Sequence, residues 1–481
     1  MKDLSRRRFL EDSLALLTVG AAGIAPIVAP AATIRRRRGP NEQLRVAVVG
    51  VHGQGMSHVG SLLGMSDVTI AAICDADTAC FARPVREIEA KTGRTPRTYQ
   101  DIRKLLEDKE IDAISSATPN HWHALIAIWS MQAGKDVYIE KPASHEVVEG
   151  RRMIEAARKY GRICQVGTQS RSTAGMREAM EFLHSGKLGK IRLARALCYK
   201  PRGSIGLAGG PQTPPSTVDY DLWLGPAPMV QPTRRQFHYD WHWFWDYGNG
   251  DLGNQGVHEM DKARWGLGKS TLPKSVMTIG GRFGYKDDGQ TPNTEVIFLD
   301  WDDARIIFEV RGLSTPALNG ARVGNIWYGT EGILVAPSYS SATAYDNSGT
   351  IIRKFDGGGS HHRNWVNAIY SRDPADLNCD IAEGHLSAAL CHMGNISLRT
   401  GSLQPFDTTT KRFGDDKDAH ETIGRTEEHL AANGVVLSDT RYMLGRKLAI
   451  NAGAENFGGD HAANALLTRR YRKPYIVPDK V

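Results

Sequence analysis

The sequence predicts an α/β protein: a doubly wound parallel sheet followed by a second α+β region with a large open, mostly antiparallel sheet. Three observations carry this. Between Leu44 and Val166, short apolar runs alternate with amphipathic stretches at the spacing of βαβ units. Beyond about Gly167 the strand-like runs lengthen and are separated by Gly, Asp and Asn turns. Trp301-Asp302-Asp303-Ala304 then stands between two such runs as a hairpin turn.

The elements follow in order. Leu44–Val49 is apolar enough for a strand buried on both faces, and Val68–Cys74 is a second such run. Arg83–Ala90 reads as a helix, and Asp101 is placed to cap Ile102–Glu107. Ala113–Ala117, Asp136–Ile139 and Ile163–Val166 are strands, with helices at Trp122–Ala133 and Glu146–Tyr160 between them. A helix at Met176–Ser185 precedes the longer strands Ile191–Tyr199, Ser275–Gly280, Glu295–Trp301, Ala304–Arg311 and Gly332–Ala336. Helices return at Trp365–Tyr370 and Glu383–Arg399, with His361-His362-Arg363 expected to cap the first. The last eighty residues read as helical and polar, and helices are expected on one face of the second sheet.

At 481 residues the chain is long enough for two or three domains of roughly 100–200 residues each. Apolar residues make up 41% and charged residues 23%, as in a folded soluble protein. Lys and Arg outnumber Asp and Glu by 60 to 53, a net +7. The runs Arg6–Arg8 and Arg35–Arg38 supply seven of those charges, so the rest is nearly neutral and a nucleic-acid partner is disfavoured. The six cysteines are scattered with no C-x-x-C, which excludes a zinc ribbon or thioredoxin-like motif and leaves them as small buried hydrophobes.

Ser5-Arg6-Arg7-Arg8-Phe9-Leu10, a short apolar run to Val28 and Ala29-Pro30-Ala31 form a twin-arginine export signal over residues 1–32. The apolar run holds Gly20, Gly23 and Pro26 and is too short to span a bilayer comfortably. The twin-arginine machinery moves folded proteins, so a periplasmic or otherwise exported location is expected, with any cofactor loaded beforehand.

Where the first strand meets the first helix stands Gly50-Val51-His52-Gly53-Gln54-Gly55. It keeps the outer glycines of G-x-G-x-x-G, with His52 in the middle place and Gly53 one position late. Asp75 closes the second strand twenty residues beyond Gly55, where a carboxylate accepts from ribose hydroxyls and repels a 2′-phosphate. This favours NAD over NADP. Thr118-Pro119-Asn120-His121-Trp122-His123 and Glu140-Lys141-Pro142 follow the carboxyl ends of later strands, where open α/β sheets bind ligands. Thr118, Pro119, Asn120, His123, Glu140 and Lys141 are therefore candidate cofactor contacts. A lysine at such a cleft can act as acid or base once burial shifts its pKa. His121 and His123 could also chelate a metal, but no Cys or carboxylate stands at ligand spacing, and no metal is expected.

In this combination the chain resembles the glucose–fructose oxidoreductase/inositol dehydrogenase (Gfo/Idh/MocA) family, and its exported bacterial members in particular. Asp221–Pro228, Gly253-Asn254-Gln255-Gly256-Val257-His258-Glu259-Met260-Asp261, Asn378–Arg399 and Arg470–Pro474 fit it as well. The resemblance spans nearly the whole chain after the export signal. It implies a Rossmann NAD-binding domain over 44–166 after a linker at 33–43. A substrate and oligomerisation domain with a helical C-terminal extension would fill 167–481, in a homo-oligomer.

The resemblance also implies hydride exchange between a nicotinamide and a hydroxyl of a sugar, cyclitol or glycoside, with Lys141 touching ribose and substrate and His258 taking or relaying the proton. Relatives place an aspartate four residues before that histidine; here it is Asn254, which carries no proton, and spacing does not show whether Asp251 or Asp261 substitutes. His258-Glu259 begins like a zinc-protease helix, but Lys262 stands where the second histidine belongs. The aromatic group Trp241, Trp243, Phe244, Trp245 and Tyr247 packs the core or stacks on a sugar, with Trp241 the candidate substrate contact. Gln169, Arg171, Asn254 and Asp251 are the other substrate candidates.

An exported enzyme meets little free NAD, so its cofactor must stay bound and be regenerated within each cycle. Coupled oxidation and reduction of two sugars does this. So does transient oxidation that cleaves a glycosidic bond and then returns the hydride. A non-catalytic sugar- or cofactor-binding protein is the remaining alternative, supported by His52 and Asn254.

Overall fold

The computed structural model describes residues 43–406 and 413–481; the expected export signal and almost all of the linker lie outside the described residues. The first sheet has six parallel strands: β1 (Leu44–Val49), β2 (Val68–Cys74), β3 (Arg97–Tyr99), β4 (Ala113–Ser116), β5 (Asp136–Ile139) and β6 (Cys164–Val166). Their order is β3-β2-β1-β4-β5-β6. Every residue of β4, β5 and β6 is buried, which explains the unbroken apolar runs. The short strand β3 was not legible in the sequence: two of its three residues are exposed.

The helices joining these strands end where local chemistry stops them. Asp101 caps Ile102–Glu107 by accepting from the Arg103 N–H at 2.8 Å. Glu146 and Glu149 form a reciprocal capping box that opens the helix Val147–Tyr160. The helix expected from His361-His362-Arg363 spans His361–Ser371, and its cap is the residue before them: Ser360 accepts from the Arg363 N–H.

The second sheet is mixed, largely antiparallel, and has eleven strands. Its central strands are β7 (Leu193–Cys198), β8 (Ser275–Gly281), β9 (Thr294–Asp300), β10 (Arg305–Arg311) and β11 (Val323–Tyr328), followed outward by β12 (Gly332–Ala336), β13 (Ala342–Asp346) and β14 (Ile351–Phe355). The expected hairpin across 301–304 joins β9 and β10, with Asp300 opposite Arg305. One pair departs from the antiparallel expectation: β7 lies parallel to β10. The last eighty residues hold one long helix, Lys417–Ala432, but also three strands at the far edge, β15 (Ser402–Pro405), β16 (Arg441–Leu444) and β17 (Leu448–Ala449). Both faces of the sheet are covered, not one. Ile297 and Leu299 pack towards the helices Val257–Gly266 and Ile381–Arg399, while Val296 and Phe298 meet the helix Lys417–Ala432.

The chain beyond 167 does not stay with the second sheet. Trp365, Val366 and Ile369 join the core on one face of the first sheet, and Tyr475 and Val477 join that on the other. The helix Ile381–Arg399 is shared by both: Ile381 and Ala388 pack on the first sheet, Leu390 and Ile396 on the second. All six cysteines are free, and no helix among the described residues is long and apolar enough to cross a membrane.

Glu295 on β9 is buried with neither carboxyl oxygen hydrogen-bonded. Burial, reinforced by the charge of Asp251, pushes it up to about 8, so it is protonated at neutral pH. A carboxyl whose folded pKa lies above its unfolded value gives its full stability below the unfolded value and loses it as pH rises through the folded one. Wild-type protein should therefore lose stability against Glu295→Gln between pH 5 and pH 8. Urea midpoints at the two pH values test this; parallel curves would contradict a protonated buried carboxyl.

Candidate active site

The glycine turn is built on a close approach. Gly50 has φ +79°, and a Cβ there would stand 2.8 Å from the Ala117 carbonyl carbon. A Cβ on Gly55 would stand 1.9 Å from the Gly50 oxygen. Gly53, by contrast, has nothing within 4 Å of such an atom, and no side chain caps the helix Gln54–Leu63 that it opens. The helix start is thus left without a side-chain cap beside the glycine turn, as a diphosphate site requires. His52, exposed in the turn, stacks on His238 with ring centres 4.4 Å apart.

The turn borders a cleft of about 500 Å³ at the carboxyl ends of the first sheet. Gly50, His52, Gly53, Asp75, Thr118, Pro119, Asn120, Glu140, Lys141, Trp241 and Asn254 all line it, so the structure gathers most of the sequence candidates on one surface. Asp75 accepts from the N–H groups of Val51 (2.8 Å) and Asp77 (3.0 Å), which fixes its carboxylate beside the turn. His123 lies behind this surface. Its ring nitrogens stand 2.6 Å from the Pro142 carbonyl and 2.8 Å from that of Thr118, so it ties the two ligand loops together.

Glu140 and Lys141 divide two tasks. Glu140 is held by the His58 ring (3.2 Å), the Gln54 amide (3.3 Å) and the Lys141 backbone N–H (3.1 Å). Burial would raise its pKa, but the hydrogen bond and charge from His58 and the charge of Lys141 outweigh burial and hold the carboxyl below its usual range. Lys141 reaches the other way and donates from Nζ to the Asn254 carbonyl at 2.7 Å. Burial pulls its pKa down; Glu140 opposes this, and the nearby cations Lys200 and Arg202 reinforce it. The carbonyl it reaches belongs to a single turn of π-helix, Leu252–Gly256, inserted before the helix Val257–Gly266.

The remaining candidates separate. His258 is buried beside Tyr339 (ring centres 4.9 Å) and is not among the residues lining the cleft. It makes no hydrogen bond among the described residues, and its Nδ1 is buried. Burial and then the Lys141 charge push it down to about 3. Neither nearby aspartate serves it: Asp251 is paired with Arg202 (2.8 Å) and Asp261 with Arg171 (2.8 Å). Arg171 also meets Glu383 at 3.1 Å and lies over Trp265, so this substrate candidate is enclosed in a buried ion-pair cluster away from the cleft. Gln169 does not line the cleft either. Asp251 is buried against Arg202 and does not line the cleft.

Among the cleft residues that escaped the sequence reading are His238 and His242. Both belong to the segment that carries the aromatic group, whose density drew attention away from the histidines between the rings. His238 also lies at 2.8 Å from Asp77, and Cys80 completes a group whose ligand-type atoms lie within 4.8 Å of one another. His121, the other metal candidate, turns instead to the Trp223 carbonyl at 3.0 Å.

NAD fits these residues: an uncapped helix start behind a glycine turn with no room for side chains at Gly50 and Gly55, a carboxylate at the end of β2, and a cleft of suitable size between them. Bound NAD would rest on Gly50–Gly55 and Asp75, with Thr118–Asn120 and Glu140-Lys141 along its farther part. The fold and cleft thus define a dinucleotide-binding oxidoreductase-type protein.

The particular lineage follows from comparison. Residues 44–168 match the oxidoreductase family model for the NAD-binding Rossmann fold, and residues 203–429 match that family's C-terminal alpha/beta domain. The chain belongs to the Gfo/Idh/MocA oxidoreductase family. It is 29% identical over 181 residues to an alpha-N-acetylgalactosaminidase of Shewanella oneidensis, covering 34% of this chain and 39% of that protein. It is 29% identical over 202 residues to a glycosyl hydrolase family 109 protein of Saccharopolyspora erythraea, covering 39% and 44%. The chain thus spans about two fifths of the length of the curated relatives it matches. Among solved structures, it resembles in fold the WlbA dehydrogenase from Bordetella pertussis in complex with NADH and UDP-GlcNAcA (TM-score 0.52, 21% identity, 73% of this chain and 94% of that one). A levoglucosan dehydrogenase in complex with NADH and L-sorbose gives TM-score 0.55 at 18% identity, covering 73% and 95%.

The glycine turn yields a direct test. Gly55→Ala forces a methyl group onto the Gly50 carbonyl, so the purified variant should carry much less NAD(H) than wild type when both are denatured and their nucleotide is quantified. Equal content would show that the turn does not hold the cofactor.

Proposed function

We propose that this protein is an NAD-dependent oxidoreductase acting on a hydroxyl of a sugar, cyclitol or glycoside, exported with its cofactor bound and regenerating it within each catalytic cycle. The observation that carries this is Lys141: a half-buried ammonium on the cleft wall, fixed by the Asn254 carbonyl, with its pKa lowered by its surroundings. Bound NAD supplies the hydride acceptor. The chain must then orient the carbinol and provide for its proton, because an alcohol that loses hydride must also lose the O–H proton to become a ketone. Lys141 suits the first task. Two of its three N–H groups remain for a substrate oxygen, and its partial desolvation strengthens those bonds.

A second reading is favoured by the names of the curated relatives, which include an alpha-N-acetylgalactosaminidase. In it the same oxidation is transient: an oxidised sugar loses its glycosidic substituent, and the hydride returns, without net redox change. One panel separates the two: free hexoses, myo-inositol and p-nitrophenyl glycosides, the α-N-acetylgalactosaminide included, offered to the protein as purified. Reduction of the bound cofactor at 340 nm by one compound, reversed when a second sugar takes the hydride, marks the first reading, and p-nitrophenol release with no lasting change at 340 nm marks the second. A wild-type protein without bound nicotinamide and inert on the whole panel would refute both and leave a binding role.

For a compound that turns over, Lys141→Met should keep the bound NAD and lower kcat/KM by roughly 10²–10⁴-fold, the usual range for a positioned proton-handling group. Unchanged turnover would remove Lys141 from the chemistry.

A further inference from the structure

Oxidation of a hydroxyl requires a proton acceptor on the cleft wall; His258 is not among the residues that line the cleft, and no carboxylate orients its ring, although its Nε2 is not buried. We propose that His242 is the catalytic proton acceptor, taking the proton of the substrate hydroxyl at Nε2. The proposal rests on the oxidoreductase reading above.

Three observations carry it. His242 lines the cleft together with Lys141, Asn254 and Trp241. Its Nδ1 stands 2.6 Å from the Tyr239 carbonyl, an acceptor only, so Nδ1 must carry the hydrogen and Nε2 is left with its lone pair. No group among the described residues hydrogen-bonds Nε2, nor is that atom one of the buried unpartnered ones. The ring is also held in place: it stacks on Trp241 with centres 3.7 Å apart at 20°, with Tyr239 at 5.0 Å and Trp243 at 5.9 Å on its other contacts. A fixed ring with a fixed tautomer and an open nitrogen is what a positioned base requires.

The electrostatics agree with this role. Burial, with the charges of Lys141 and Arg202, pushes the imidazole down to about 3, against the opposing bond to Tyr239. It is therefore neutral, and ready to accept, throughout the physiological range. Such a weak base cannot strip a free alcohol, but it need not. As the C–H bond breaks and its electron pair passes to the oxidised nicotinamide, the C–O group becomes a protonated carbonyl, a strong acid. The O–H bond then breaks, its electrons stay on the oxygen as a lone pair of the neutral carbonyl, and the proton bonds to Nε2. In the return direction the imidazolium is a correspondingly strong acid for the carbonyl oxygen as hydride comes back. The cations that set this behaviour are Lys141 and Arg202. Arg202 is itself paired with Asp251 and donates to the Tyr239 hydroxyl at 2.9 Å.

The test uses the NAD-loaded protein. His242→Asn can keep an N–H towards the Tyr239 carbonyl while removing the accepting nitrogen, and His242→Ala removes both. On the panel compound that turns over wild type, both variants should keep their NAD content and thermal midpoint while kcat falls roughly 10²–10⁴-fold. Added imidazole should restore part of the rate to the alanine variant only. Independently of any substrate, nitrogen-15 NMR of the loaded protein at pH 7 should show His242 protonated at Nδ1 and bare at Nε2. A kcat close to wild type in both variants, or a ring protonated at Nε2, overturns the assignment. Should those variants lose activity only because NAD is lost, His242 is a cofactor contact and the proposal is likewise wrong. A wild type inert on the whole panel sinks the oxidoreductase reading and this inference with it, whereas an active wild type with unaffected variants sinks this inference alone.

Discussion

An ammonium group drawn partly out of water needs an acceptor, because desolvating a cation without one is costly. In this protein that acceptor lies in a different part of the fold. Lys141 leaves the end of β5 in the first sheet and donates to the Asn254 carbonyl, in the π-turn that precedes the helix Val257–Gly266 beneath the second sheet. This bond needs both sheets in place. It also needs the register change of the π-turn, which breaks the regular helical ladder where a carbonyl is wanted. The site therefore exists only where the two sheets meet, and the helix Ile381–Arg399, packed against both, fixes how they meet.

Around that bond, charge is arranged by exclusion. The carboxylates near the cleft are spoken for: Glu140 by His58 and Gln54, Asp75 by two backbone N–H groups, Asp251 by Arg202. Two histidines within reach of the Lys141 charge, His242 and His258, are kept neutral by burial and by that charge. A site with fixed cations and neutral imidazoles stabilises a developing oxyanion and accepts a proton from a strong acid, without adding a second negative charge beside a diphosphate.

Asn254 takes its meaning from the same geometry. A carboxylate at this position could orient His258; the asparagine contributes its main-chain carbonyl to Lys141 instead, and His258 is left without a hydrogen bond among the described residues. The two neighbouring aspartates cannot compensate, since each is already locked to an arginine. The proton acceptor proposed above, His242, is held instead by its stack on Trp241.

The sequence alone determined whatever depends on near neighbours in the chain. The buried strands announced themselves as unbroken apolar runs, Asp101 as a helix cap, the 301–304 turn as a hairpin, and Gly50–Gly55 with Asp75 as a nucleotide cradle, because each rests on backbone rules spanning a few residues. The edge strand β3 escaped because it is short and mostly exposed, and β14 because its apolar residues do not alternate with polar ones and four of its five residues are exposed. Ser360 was overlooked as a cap for the three residues beside it. Only the tertiary structure decided which polar residues face the cleft. Arg171 and Asp261 are ninety residues apart in sequence, and nothing local shows that they close on each other; His242 and Lys141 are about as far apart, and nothing local shows that they share a wall. Partnering of buried charge is a long-range outcome of packing, so it is legible only once the chain is folded.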